Sequence, residues 1–156
     1  ERINGYWVPY HAALQNLLQQ AHSQFGQAIL LDCHSMPHEA IETMGMRRNH
    51  LPDVVLGDRF GSSASGEVVD QIEAAFVGAG LKVGRNAPFA GAYITQAYGR
   101  PSRGQHAVQV EIDRALYMDE VAIMPNSNFA AVKKLLRDVI SEISQICDEP
   151  SALAAE

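Results

Sequence analysis

Two cysteines in 156 residues, Cys33 and Cys147, are too few for a disulfide framework. A reducing, cytoplasmic setting is therefore expected. No stretch approaches the roughly 18 consecutive apolar residues of a membrane-spanning helix, and none has the basic start and short apolar centre of a signal peptide. Basic residues are in deficit, with 12 Lys and Arg against 18 Asp and Glu and a net charge of −6. With no basic run either, the chain offers nucleic acid no electrostatic footprint, and neither nucleic acid nor membrane is expected as a partner. Charged residues reach only 19% while apolar ones reach 47%, which is globular composition rather than disorder. A chain of this length can bury a core without covalent staples. No repeat and no linker divides it, so residues 1–156 read as one α/β domain.

What is present alternates between helical and strand patterns. From Gly5 to Phe25, Trp7, Tyr10, Leu14, Leu17, Leu18, Ala21 and Phe25 fall at spacings of three and four, one face of an amphipathic helix. Pro9 suits its first turn and Gly26 its end. The apolar run from Ala28 to Leu31 reads as a buried strand closing on Asp32-Cys33-His34-Ser35. Residues 36–50 read as a loop, Val54–Gly57 as a second strand, and Leu81–Gly84 as a third. Between the last two, Val68, Val69, Ile72, Ala75 and Phe76 mark a helix entered from the turn at Gly61–Ser65. Tyr93-Ile94-Thr95 alternates like a strand. His106–Ile112 reads as a central strand with Val108, Val110 and Ile112 on one side and Glu111 on the other. After Pro125, a last helix starts near Asn126-Ser127 with an apolar face from Phe129 to Ile146.

Chemistry concentrates at the strand ends. Open α/β sheets place ligands outside the carboxyl ends of their strands, where the Asp32–Ser35 cluster stands. Side chains alternate along a strand, so Asp32 and His34 point together and Cys33 points away. That favours His34 as a ligand or base over a Cys33–His34 nucleophilic pair; the bland alternative is a histidine satisfied by backbone. His34 and His38 are four apart, but Pro37 argues against the helix that would pair them on one metal. His11 and His22 read as surface or packing residues, and His50 and His106 have no local partner. Glu111 lies between Val110 and Ile112. Acids in apolar strands are uncommon unless paired or employed, and a desolvated carboxylate holds a proton more readily, as a general base must. An edge strand with Glu111 in water is the rival reading. Arg47, Arg48, Arg59, Asn86, Arg100 and Arg103 sit in Gly- and Pro-rich loops and suggest an anion pocket, because a guanidinium can hold both oxygens of a carboxylate. Gly91 and Gly99 allow close backbone approach to a ligand.

Seven segments stand in order: Tyr6-Trp7-x-Pro9-Tyr10-His11, Leu31-Asp32-x-His34-Ser35, Leu51-Pro52-Asp53-x-x-Leu56-Gly57, Gly91-Ala92-Tyr93-Ile94-Thr95, Tyr98-Gly99-Arg100-Pro101, His106-Ala107-Val108-Gln109-x-Glu111 and Leu116-Tyr117-Met118. Together they resemble the N-formylglutamate amidohydrolase family over roughly residues 3 to 125. The resemblance implies a three-layer α/β/α fold around a mixed β-sheet, phosphorylase/hydrolase-like and similar to zinc carboxypeptidases and aspartoacylase. It implies a zinc hydrolase that releases formate and glutamate from N-formyl-L-glutamate in histidine degradation. On that pattern His34 is a zinc ligand, Asp32 orients it, and Glu111 is the general base. Arg100, Asn86 and Thr95 hold substrate carboxylates.

A hydrolytic zinc usually has three protein ligands and a water, and this chain offers one strong candidate. The wider fold takes a histidine and a carboxylate from upstream of the strand-borne histidine. The residues from Glu1 onward are therefore expected to be the C-terminal portion of such a domain, with the remaining zinc ligands before it. A carboxylate-binding module without turnover, another amide or peptide hydrolase on the same scaffold, and a Cys33 hydrolase are the alternatives.

Overall fold

A computed structural model describes residues 1–43, 45, 47 and 50–146. Arg48, Asn49 and Cys147 with the tail after it lie outside the described residues. A short π-helical turn, Ile3–Trp7, runs into α1 (Val8–Phe25). Gly26 closes α1 in the left-handed conformation, φ 77°, its N–H bonded to the His22 carbonyl. The inward face is narrower than the spacing predicts. Leu14, Leu18 and Ala21 pack against the sheet, while Trp7, Tyr10 and Leu17 stay exposed. The aromatic rings of the first turns gather around His11 instead, which stacks on Tyr98 and donates to or accepts from its hydroxyl at 2.5 Å.

Strand β1 (Ala28–Met36) runs on past the expected polar cluster. Pro37 then sits extended at the N-cap of α2 (His38–Glu42), so the segment expected to be loop begins with a helical turn. Proline is harmless there, because an N–H at a helix start has no partner within the helix. Strand β2 (Val54–Gly57) is followed by α3 (Gly66–Gly78), whose N-cap Ser65 accepts from the Val68 N–H. Its Val68, Val69, Ile72, Ala75 and Phe76 are all buried, as their spacing predicts. Strand β3 (Val83–Arg85) starts two residues later than expected.

Tyr93–Tyr98 is a helix, α4, not the strand its alternation suggests. Thr95 Oγ1 donates to the Ala92 carbonyl, and Ile94, Ala97 and Tyr98 pack together at helical spacing. Burial of that face overrides a β-leaning local composition. Strand β4 (Gln105–Asp113) leads through a 3-10 turn (Arg114–Leu116) to a small antiparallel pair, β5 (Met118–Asp119) and β6 (Met124–Pro125). Helix α5 (Phe129–Ile143) follows.

Among the described residues the four longer strands form one mixed sheet in the order β1-β4-β2-β3. β1 and β4 are parallel, β4 and β2 antiparallel, β2 and β3 parallel. α3 and α5 cover one face, against Val54, Leu56, Val108 and Val110. α1 and α4 cover part of the other, against Ala28 and Ala107. This is the expected three-layer mixed α/β arrangement. The remainder of the second face, toward the carboxyl ends of β1 and β4, carries the polar residues beside a small apolar cluster of Met36, Ile41, Leu51 and Val55.

Candidate functional site

Parallel pairing of β1 with β4 sets Asp32 beside Gln109 and His34 beside Glu111. Paired residues share a sheet face, so these four side chains form one patch. β2 adds Val55 beside Glu111 and Gly57 beside Gln109. Within β1, His34 Nε2 lies 3.1 Å from Asp32 Oδ2, as the alternation predicts. Glu111 is only 7% exposed. Its strand lies between two others, which removes the edge-strand reading. Gln109 Nε2 donates to Glu111 Oε1 at 2.7 Å, and Gln109 Oε1 accepts the Ala92 N–H at 2.8 Å. A buried carboxylate is thus held by one neutral donor and keeps further lone pairs for a water or a substrate.

Gly57 makes this possible. A Cβ there would come within 2.6 Å of Gly91 N, so glycine lets the Ala90–Ala92 backbone cross the sheet face beside Gln109. Gly91, at φ 106°, faces Thr95 Oγ1 and the Arg59 side chain. Gly99 presses on Ser63. These close approaches serve chain packing, where the sequence suggested approach to a ligand.

The carboxyl ends of β1 and β4 are tied by a second group. His38 Nδ1 lies 2.7 Å from the buried Asp113 Oδ2, and Glu120 accepts the His38 N–H. Arg114 donates to the Ser35 side chain and carbonyl. His38 therefore stands at a helix start bonded to β4, apart from His34. The sequence reading assigns no role to Gln109 or Asp113. Their signal was legible: Gln109, Glu111 and Asp113 are three polar residues at alternate positions of one apolar strand.

The structure does not bring every candidate here. Arg100 pairs with Gln105 at the opposite end of β4, about 20 Å from Glu111 at ~3.3 Å per residue. Its guanidinium donates to the Gln96 and Gly99 carbonyls, beside a polar hollow of about 410 Å³. Asn86 bridges the Asp58 carboxylate and the Asp58 and Phe60 N–H groups, so both ends of its amide are occupied within one loop. Thr95 is fully buried with its hydroxyl on Ala92. His106 does have a partner, because its Nδ1 accepts the Ser65 N–H.

Cys33 points to the other face, into a hollow of about 760 Å³ between β1 and α5. Although the residue is exposed overall, its thiol is pushed up from 9.0, first by partial desolvation and then by Asp32. A nucleophilic cysteine needs the opposite shift.

Metal binding can be tested on the donors themselves. Among the described residues no three His, Cys, Asp or Glu side chains converge as a metal-holding group. His34 and Asp32 supply two donors at most, so the described residues alone do not fit a hydrolytic zinc. No described helix is long and apolar enough to cross a membrane.

Comparison with known proteins identifies the family. A profile of the N-formylglutamate amidohydrolase family matches residues 1–118. An N-formylglutamate deformylase of Pseudomonas aeruginosa is 35% identical over 138 residues, covering 88% of this chain and 50% of the relative. One from Pseudomonas putida is 34% identical over 119 residues, 73% of this chain and 42% of the relative. The crystal structure of N-formylglutamate amidohydrolase from Ralstonia eutropha superimposes with a TM-score of 0.78 at 37% identity, over 94% of this chain and 52% of that one. A protein from Agrobacterium tumefaciens, at 18% identity and a TM-score of 0.58, shares the fold. The chain spans about half the length of the curated relatives it matches.

Proposed function

The chain belongs to the N-formylglutamate amidohydrolase family, and on that premise we propose that it bears part of the machinery hydrolysing N-formyl-L-glutamate to formate and glutamate. The observation behind the proposal is the facing of His34 and Glu111 across β1 and β4, with Asp32 and Gln109 alongside. Glu111 takes a proton from the attacking water as its oxygen adds to the formyl carbon. The same carboxyl then returns that proton to the amine as the C–N bond breaks. Gln109 orients the carboxylate by donating from Nε2 to Glu111 Oε1, and Asp32 orients the His34 ring.

Zinc is the metal we propose for His34, with the other donors supplied by polypeptide outside this chain. Bound there, it would supply Lewis-acid polarisation. We further propose a cytoplasmic setting and a place in histidine degradation, where formamide hydrolysis of this substrate yields glutamate. The decisive experiment is Glu111→Gln in a protein of the relatives' full length. Turnover should fall by about 10²–10⁴-fold, the usual span for a general base, with KM little changed. Full activity in that variant sinks the reading. A carboxylate-binding module without turnover is the second reading, favoured by the incomplete donor set. Glutamate binding with no formate release from the full-length protein would select it.

A further inference from the structure

The proposed substrate carries two carboxylates, and the described side chains paired around Glu111, from His34, Gln109 and Val55, include no lysine or arginine. Three of the arginines are engaged elsewhere. Arg85 is paired with Asp70 and Glu73, Arg114 lies near Glu120, and Arg100 is turned onto carbonyls at the far end of β4. Arg59 differs. Its N–H bonds the Ala90 carbonyl and its guanidinium reaches the Gly91 carbonyl at 3.3 Å, on the strip of backbone that crosses the sheet face. The next N–H along that strip, Ala92, is the one held by Gln109, which in turn holds Glu111. Among the described residues no carboxylate lies within ion-pair distance of Arg59. The nearest acid in sequence, Asp58, is taken up by Asn86 and the Gly61 N–H. One weak carbonyl bond leaves most of the five guanidinium donors free.

The backbone points the same way. Arg59 and Phe60 both adopt left-handed conformations, φ 54° and 55°, which cost L-residues energy and gather where a loop must present a side chain. The Asp58–Asn86 bonds hold that loop in place.

We propose that Arg59 receives the side-chain carboxylate of the substrate and sets selectivity for acidic over neutral N-formyl amino acids. This rests on the deformylase reading above. A bidentate guanidinium–carboxylate pair explains why arginine stands here, since lysine offers only a point charge.

The test compares N-formylglutamate with N-formylglutamine, which differ only at that carboxylate, by calorimetric binding and by formate release in a protein of full family length. Wild type should prefer the glutamate derivative. Arg59→Asn suits a left-handed backbone and so controls for misfolding. It should weaken N-formylglutamate binding by roughly 10- to 100-fold and leave N-formylglutamine unchanged, while Arg59→Lys should retain part of the preference. Equal loss for both ligands overturns the assignment, as does loss of the preference in Arg100→Gln but not in Arg59→Asn. Absence of formate release by the wild type defeats the deformylase reading alone, because the binding comparison still scores Arg59.

Discussion

His106 and Cys33 show how far a side chain's surroundings outweigh its type. His106 is buried at the foot of β4, and its Nδ1 accepts the N-cap N–H of Ser65. Burial pushes its pKa below 6.5, partly offset by Glu67. The unfolded chain takes up a proton near that value and the folded chain resists, so this contribution to stability is complete above pH ~6.5 and declines as pH falls. Urea midpoints between pH 7.5 and 5.5 should therefore fall more in wild type than in His106→Gln. The variant also loses about 1 kcal/mol at the higher pH from the broken bond. An identical slope in both proteins would refute the assignment. Cys33, with its raised pKa, should alkylate slowly at neutral pH, and Cys33→Ala in a protein of the relatives' full length should leave the proposed deformylase activity intact. A substantial loss in that variant would revive a thiol mechanism.

Elements here are placed by contacts that single residues permit. Gly99 ends α4 where the loop passes against Ser63, and an added Cβ would come within 2.5 Å of the Ser63 Cα. Gly99→Ala forces that backbone apart and should cost about 1–3 kcal/mol, read from the urea midpoint. An unchanged midpoint would show that the loop yields freely. Helix α3 is legible because its apolar spacing alone marks the buried face, whereas on α5 only Val139 and Ile143 are buried and Phe129 and Ile140 stay exposed. Helix α4 is not legible locally, since three alternating residues fit a strand and its helical face is set by packing against residues such as Leu18 and Ala107. Helix α1 was placed correctly and its face was overdrawn, because the sheet beneath it covers Leu14, Leu18 and Ala21 but does not extend under Trp7 and Tyr10.

At the scale of the whole molecule, β1 is an edge of the described sheet, and it bears Asp32 and His34. Zinc content should be well below one per chain for residues 1–156 and near one for a protein of the relatives' full length, and His34→Ala should abolish it in the longer form. Stoichiometric, tight zinc in residues 1–156 alone would overturn the view that the remaining donors come from elsewhere. The sequence by itself determined the α/β class, the shared side of Asp32 and His34, and the placement of Glu111 within an apolar strand. Each follows from a period of two or of 3.6 residues, which is local. Only the tertiary structure decided that His34 faces Glu111, that Gln109 holds that carboxylate, and that Arg59 rather than Arg100 meets the strip of backbone bonded to Gln109. Those relations join residues tens of positions apart, and they are set by strand order and register, which no local pattern encodes.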